Sequence, residues 1–315
     1  MILAGIDEAG YGPVLGPLVV GACALRVDRP DDLWETLRRA VSRTRDRSGK
    51  RLHVADSKKV YGASAGLHEL ERSVAVLGSM RFGLVDRPQT LLERVCPDEV
   101  GELAQTPWYA DADHGWLDLT QAGLTIDLNV ARHEFERAGV TVETMRAHVV
   151  PERTLNRIFG ATRNKASTSF TFVARHMHGL MEAFASEGLI IWCDRQGGRE
   201  HYGPLLRTMF PEWELSIEHE EEKRADYSLS RSNMRVGLTF AEKAEDQAMP
   251  VAVASMLAKY LREVLMHRFN GYWRRLLPTL TPTAGYWVDG QRFLRDIEPA
   301  CRKLGVDPST LARER

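Results

Sequence analysis

Residues 1–25 read MILAGIDEAGYGPVLGPLVVGACAL, and the fold turns on how this stretch is read. Met1 to Ile6 is a short apolar run that stops at Asp7-Glu8, the pattern of a buried strand ending at a carboxylate pair. Gly and Pro turns follow, and the chain becomes strand-like again from Leu18 to Leu25, so a hairpin is expected. Successive strand residues face opposite sides. Asp7 and Glu8 can therefore share a site only if Glu8 sits on the turn where the strand ends, and Gly10 and Gly12 make such a turn plausible.

The same device recurs downstream. Leu189-Ile190-Ile191-Trp192-Cys193 is a second apolar strand, and it too ends at an acid, Asp194. A third acid pair, Glu245-Asp246, precedes a helix of about residues 250–269 rich in Val251, Ala252, Ala254, Ser255 and Ala258, small enough to let it approach a sheet closely. Buried carboxylates repel one another and cost several kcal/mol each to desolvate unless a positive charge compensates. A divalent cation is the usual compensation, and hard oxygen ligands select Mg²⁺ or Mn²⁺. Taken singly, each acid reads equally well as a strand-end or cap residue in solvent. Three sets, two of them directly behind apolar strands, favour a metal site.

Around these landmarks the periodicity predicts helices over 31–43, 166–187, 202–210 and 291–304, and strands at 213–219 and roughly 226–240. Residues 83–163 are rich in Pro, Gly and Asp; short strands near 123–130 and 140–150 are expected there, within an insertion or subdomain. Strands alternating with helices argue for an α/β layer with a mixed sheet. A net charge of -1 excludes a polycation, so any contact with nucleic acid must use a local basic patch. Only eight of the 42 basic residues are lysine, which makes the adjacent Lys58-Lys59 stand out. Four scattered cysteines suggest no disulfide framework. No run approaches the ~18 apolar residues of a membrane helix, and acids at 7 and 8 argue against a secretory leader. A cytoplasmic, monomeric protein with no membrane partner is the expectation.

The residues 5–22, GIDEAGYGPVLGPLVVGA, resemble the opening motif of the type 2 ribonucleases H, ribonuclease HII and HIII. Asp56-Ser57-Lys58-Lys59 resembles that family's D-S-K-K segment, Asn164 an asparagine ahead of a helix, Ala254-Ser255-Met256-Leu257-Ala258-Lys259 its A-S-I-x-A-K helix, and Gly285-Tyr286 a late Gly-Tyr motif. The resemblance implies an α/β ribonuclease H-like fold, a mixed five-stranded sheet flanked by helices, made by residues 1–82 and 164–315 with 83–163 inserted. It implies hydrolysis of RNA in RNA–DNA hybrids, or at ribonucleotides within duplex DNA, leaving 3′-hydroxyl and 5′-phosphate ends. Four carboxylates would hold two divalent ions, Mg²⁺ or Mn²⁺: Asp7, Glu8, Asp194 and either Glu245 or Asp246. Substrate would be met by Gly10, Tyr11, Gly12, Ser57, Lys58, Lys59, Asn164, Arg199, Ser255, Lys259 and Tyr286. Lys58 or Lys59 would neutralise a phosphate as a point charge, and Arg199, after the glycine pair at 197–198, would reach another.

Three departures qualify the likeness. The family usually carries Arg or Lys where this chain has Tyr11, which supplies no guanidinium but can stack on a sugar or base. The stretch from Lys59 to Asn164 is longer than in compact members, and the first motif begins at residue 5, so the extra N-terminal domain of ribonuclease HIII is not expected. Two competing readings keep the fold: a nucleic-acid-binding protein that has lost catalysis, and a nuclease acting on DNA junctions or flaps.

Overall fold

The computed structural model describes residues 1–62, 67–110, 120–162, 165–196, 199–307 and 310–314. Seven of its strands form one sheet: β1 (Ile2–Ala9), β2 (Leu18–Arg26), β5 (Thr141–Val150), β6 (Leu189–Asp194), β7 (Glu214–Glu221), β8 (Arg224–Arg231) and β9 (Met234–Ala241). Two more, β3 (Val41–Ser42) and β4 (Leu52–His53), pair with each other. The order across the main sheet is β5-β2-β1-β6-β9-β8-β7. β1, β6 and β9 run parallel as neighbours, while β2 runs against both β1 and β5. The five strands from β5 to β9 are the mixed sheet implied by the resemblance; the hairpin β7–β8 extends it to seven.

Each face of the sheet has its own core, as strand alternation requires. Ile2, Ala4, Ile6, Val20 and Ala22 pack on one side with Phe170, Val173 and Met177 of the helix Lys165–Phe184. Leu3, Val19, Cys23 and Leu25 pack on the other with the helix Met249–Leu276. This long helix lies almost on the strands. A Cβ built on Gly5 would fall 2.1 Å from Val251 N, and one on Gly21 2.5 Å from Ala254 O. The glycines of β1 and β2 thus admit the helix backbone, which carries Ser255 to the end of β1.

Several expectations need correction. The helix expected over 31–43 is one turn, Leu33–Thr36, because Val41 and Ser42 leave it to pair with Leu52 and His53. The strand expected near 123–130 is part of the helix Gln121–Arg137, whose Leu124, Leu128, Ala131 and Phe135 are buried at helical spacing. The strand expected near 140–150 is β5, which pairs with β2 along its length. That part of residues 83–163 therefore belongs to the main sheet. The segment 226–240 is a hairpin, β8–β9, turning at Ser232. Among the described residues, no helix is long and apolar enough to cross a membrane.

Candidate active site

The sheet register brings the acids together. Ile6 of β1 stands beside Cys193 of β6, so the next positions, Asp7 and Asp194, follow one another at the same end of neighbouring parallel strands. Asp194 in turn pairs with Ala241, the last residue of β9. The chain then turns through Lys243, whose φ of 52° is left-handed, into the one-turn helix Ala244–Gln247 bearing Glu245 and Asp246. Adjacent strands are spaced by ~4.8 Å, so three consecutive strand ends deliver carboxylates to one rim. The carboxyl ends of parallel strands are where open α/β sheets place their ligands.

A cavity of about 330 Å³ opens at this rim, lined by Asp7, Glu8, Asp194 and Glu245 together with Gly10, Tyr11, Gly12, Ser57, Lys58, Ser255, Lys259 and Tyr286. Asp56, Arg195, Gln196 and Arg262 also line it. Glu8 does not sit on a turn as expected: β1 continues through Ala9, and Glu8 is still in register with Val20. It faces the side opposite Asp7, where its carboxylate accepts from Ser169 Oγ and Gln196 Nε2, both at 2.5 Å. The cavity wraps the strand end, so both acids line it.

The electrostatics are those of carboxyls buried close to one another. Burial and the neighbouring Asp194 raise the Asp7 carboxyl well above the usual range, against hydrogen bonds from Ser255 and from Glu8 N, the latter at 2.7 Å. Burial raises Asp194 as well, while Ala244 N, Glu245 and more distant Lys58 oppose the rise. Glu245 is pushed up to about 7, first by burial and then by the charges of Asp194, Asp56 and Asp246. Its Oε2 is buried without a hydrogen-bond partner. Among the described residues, no three carboxylates, imidazoles or thiols are gathered tightly enough to hold one metal ion as they stand. Asp194 and Glu245 share a hydrogen bond, and Glu8 is turned toward Ser169 and Gln196.

Other candidates are placed differently. Asp246 is drawn off by Lys59, whose Nζ donates to both its carboxylate oxygens at 2.6 and 2.8 Å, and neither residue lines the cavity. Lys58 does, from the turn Ser57–Val60, capped by Asp56 accepting from Lys58 N at 3.0 Å. Ser255 Oγ lies 3.0 Å from Ser57 Oγ, joining two of the motif segments beside Asp7. Lys259 pairs with Glu263 at 2.6 Å and covers the Tyr61 ring. Tyr286 is 59% exposed at the mouth. Arg199 is not part of the lining but is close enough to Tyr11 to oppose the rise that burial and Glu8 impose on its hydroxyl. Asn164 lies outside the described residues. Of the cations at 43–51, Arg43 pairs with Asp32, Arg45 with Glu69 and Arg51 with Asp46. Sequence reasoning missed Ser169, Gln196 and Arg262. The first two carry no motif and are found only through Glu8.

No family model matches the chain. Ribonuclease HII of Methanocaldococcus jannaschii is 43% identical over 60 residues, a match spanning 19% of this chain and 19% of that protein. Among solved structures, ribonuclease HII in its complex with PCNA from Archaeoglobus fulgidus is 17% identical, with a TM-score of 0.41 covering 100% of this chain and 95% of that one. Ribonuclease H2 from Pyrococcus horikoshii OT3 is 15% identical, with a TM-score of 0.43 over 99% and 92% of the two chains. The motif segments gather around one cavity, and the likeness in sequence to ribonuclease HII is confined to that 60-residue stretch.

Proposed function

We propose that the chain is a metal-dependent endonuclease of the ribonuclease HII type, hydrolysing the RNA strand of RNA–DNA hybrids or ribonucleotides within duplex DNA to leave 3′-hydroxyl and 5′-phosphate ends. One observation carries the proposal: the ends of three adjacent parallel strands direct Asp7, Asp194 and Glu245 to a single cavity that Glu8 also lines. The donor set is entirely oxygen, which suits Mg²⁺ or Mn²⁺. A bound dication would relieve the buried, partnerless Glu245 Oε2 and the mutual repulsion of Asp7 and Asp194. Asp7, Glu8, Asp194 and Glu245 would be the ligands, with Asp246 kept out by Lys59.

When bound, a pair of divalent ions supplies a hydroxide nucleophile at neutral pH and charge stabilisation for the leaving oxygen. The chain's own groups do the rest. Ser255 orients Asp7 by its hydrogen bond, and Ser169 and Gln196 fix Glu8 on the far side of the strand. Lys58 places a point charge at the cavity for the phosphate. Tyr11 and exposed Tyr286 offer rings to sugars or bases at the mouth. Glu245 and Asp194, which share a hydrogen bond, would both hold a cation in their ionised forms.

The test is hydrolysis of a labelled RNA–DNA hybrid, and of a duplex with one embedded ribonucleotide, with Mg²⁺ or Mn²⁺, comparing wild type with Asp7→Asn. Metal-dependent cleavage lost in the variant supports the proposal. Binding of either duplex without cleavage in both metals would replace it with a catalytically silent nucleic-acid-binding role.

A further inference from the structure

The far C-terminal segment returns to the loop that bears Gly10, Tyr11 and Gly12. Arg313 is only 6% exposed. Its backbone N donates to Val14 O at 2.9 Å, and its Nε to Gly16 O at 2.8 Å. Its two terminal nitrogens donate to Gly10 O and Gly16 O. One guanidinium therefore bridges both ends of the loop. The segment is pinned on either side of Arg313 by Asn156, which donates to Ala312 O at 2.7 Å and accepts from Glu314 N at 2.9 Å. Tyr11, Asn156 and Arg313 line one small cavity, so the bridge lies next to Tyr11, which also lines the cavity of the acids.

The loop needs such support. It joins two antiparallel strands without pairing to itself, and Gly10 and Gly16 hold φ of 90° and 84°, where almost any other residue is strained. Its buried carbonyls must find donors outside regular structure. Arginine offers five in a rigid fork; a lysine at the same depth offers a single centre. Burying an arginine that touches backbone carbonyls is costly unless its geometry is used.

We propose that Arg313 is a positioning residue for nucleic-acid binding: by stapling Gly10 to Gly16 it holds Tyr11 and Gly12 in a binding-ready conformation at the cavity mouth. The identity of the ligand, a hybrid or ribonucleotide-containing duplex, rests on the function proposed above; the staple does not.

Hydrogen exchange on the metal-free protein reads the staple directly, and hybrid cleavage reads its use. In Arg313→Ala, exchange across residues 8–17 should quicken about tenfold or more while residues 189–193 of the central strand keep wild-type protection. KM for the hybrid should rise about tenfold with kcat within about threefold, since binding and not the reacting centre is disturbed. Arg313→Lys should restore part of both effects, and millimolar guanidinium should rescue Arg313→Ala but not wild type. Should Arg313→Ala fail to fold, Asn156→Ala frees the segment while keeping the guanidinium, and the same loop should exchange faster. Unchanged exchange over 8–17 in these variants, or a uniform rise that includes 189–193, overturns the proposal. A wild type that cleaves no hybrid defeats the nuclease reading instead, and the exchange experiment still judges Arg313.

Discussion

Two buried charged clusters differ in what surrounds them. At the strand ends, the neighbours of Glu245 reinforce the effect of burial: Asp194, Asp56 and Asp246 all raise it further. Of the cations on the same cavity, Lys58 faces the acids, while Arg195 turns to Glu242, Lys259 to Glu263 and Arg262 to the carbonyls of Leu15 and Ala284. Around Glu152 the neighbours act in the opposite sense, although burial still leaves its carboxyl raised. Burial raises its carboxyl, but Arg313, the Tyr109 hydroxyl and Gly16 N all oppose the rise, the last two as donors at 2.8 Å. A carboxylate whose partners come from its own chain is finished as a structural element. One whose neighbours add to its cost is incomplete, and that separates candidate function from scaffold here.

The sharpest way to break this comparison is to neutralise one acid in each cluster. Asp7→Asn should lower hybrid cleavage on the order of 10³-fold or more, the loss expected when several kcal/mol of metal-borne charge stabilisation is withdrawn. The same variant, metal-free, should unfold at the same or a higher temperature, because it removes a repelled buried charge. A second pair sharpens the assignment within the acids. Glu245→Gln should cost on the order of 10²–10³-fold in kcat, whereas Asp246→Asn, which breaks a half-exposed pair with Lys59, should change it less than about threefold and stability by about 0–1 kcal/mol. Steady-state kinetics and thermal melts check both.

Glu152→Ala should behave in the opposite sense. It strands Gly16 N, the Tyr109 hydroxyl and a nearby buried guanidinium, so unfolding should become easier by about 3–5 kcal/mol in denaturant titrations. Glu152→Gln keeps an acceptor and should recover about half of that. Equal losses from both substitutions would mean that charge, and not the hydrogen bonds, holds the cluster.

How much of this is legible in the sequence depends on whether the cause is local. Asp7 and Asp194 stand out because apolar runs stop at them, and the register then sets those stops side by side. The choice between Glu245 and Asp246 is not local: it depends on the left-handed turn at Lys243 and on Lys59, 187 positions away. Ser169 and Gln196 are invisible for the same reason, since only the folded sheet sets them against Glu8. The β-branched residues Thr125, Ile126 and Val130 suggest a strand where a helix forms, because Leu124, Leu128, Ala131 and Phe135 make the buried stripe and tertiary burial overrides propensity. β5 reads as a strand, but nothing near it reveals that its partner is β2.

The smallest effect concerns pH. Glu245 has a folded-state value of about 7 against 4.5 unfolded. A carboxyl raised on folding contributes stability that is fully present below its unfolded value and is lost as pH rises through its folded value. Metal-free protein should therefore melt progressively lower between pH 4.5 and about 7, with Asp7 and Asp194, also raised, extending the decline in the same direction. Mg²⁺ should oppose it, because a cation favours the ionised acids, and its apparent affinity should rise with pH across that window as bound protons are displaced. Calorimetric titration at pH 7 in buffers of different ionisation enthalpy measures those protons. Glu245→Gln should flatten the melting profile and reduce the proton release, while Glu152→Gln should leave the release at its wild-type value. If both variants released protons alike, the contrast between the two clusters would fail, because charge at the strand ends would then be no less settled than charge beside Arg313.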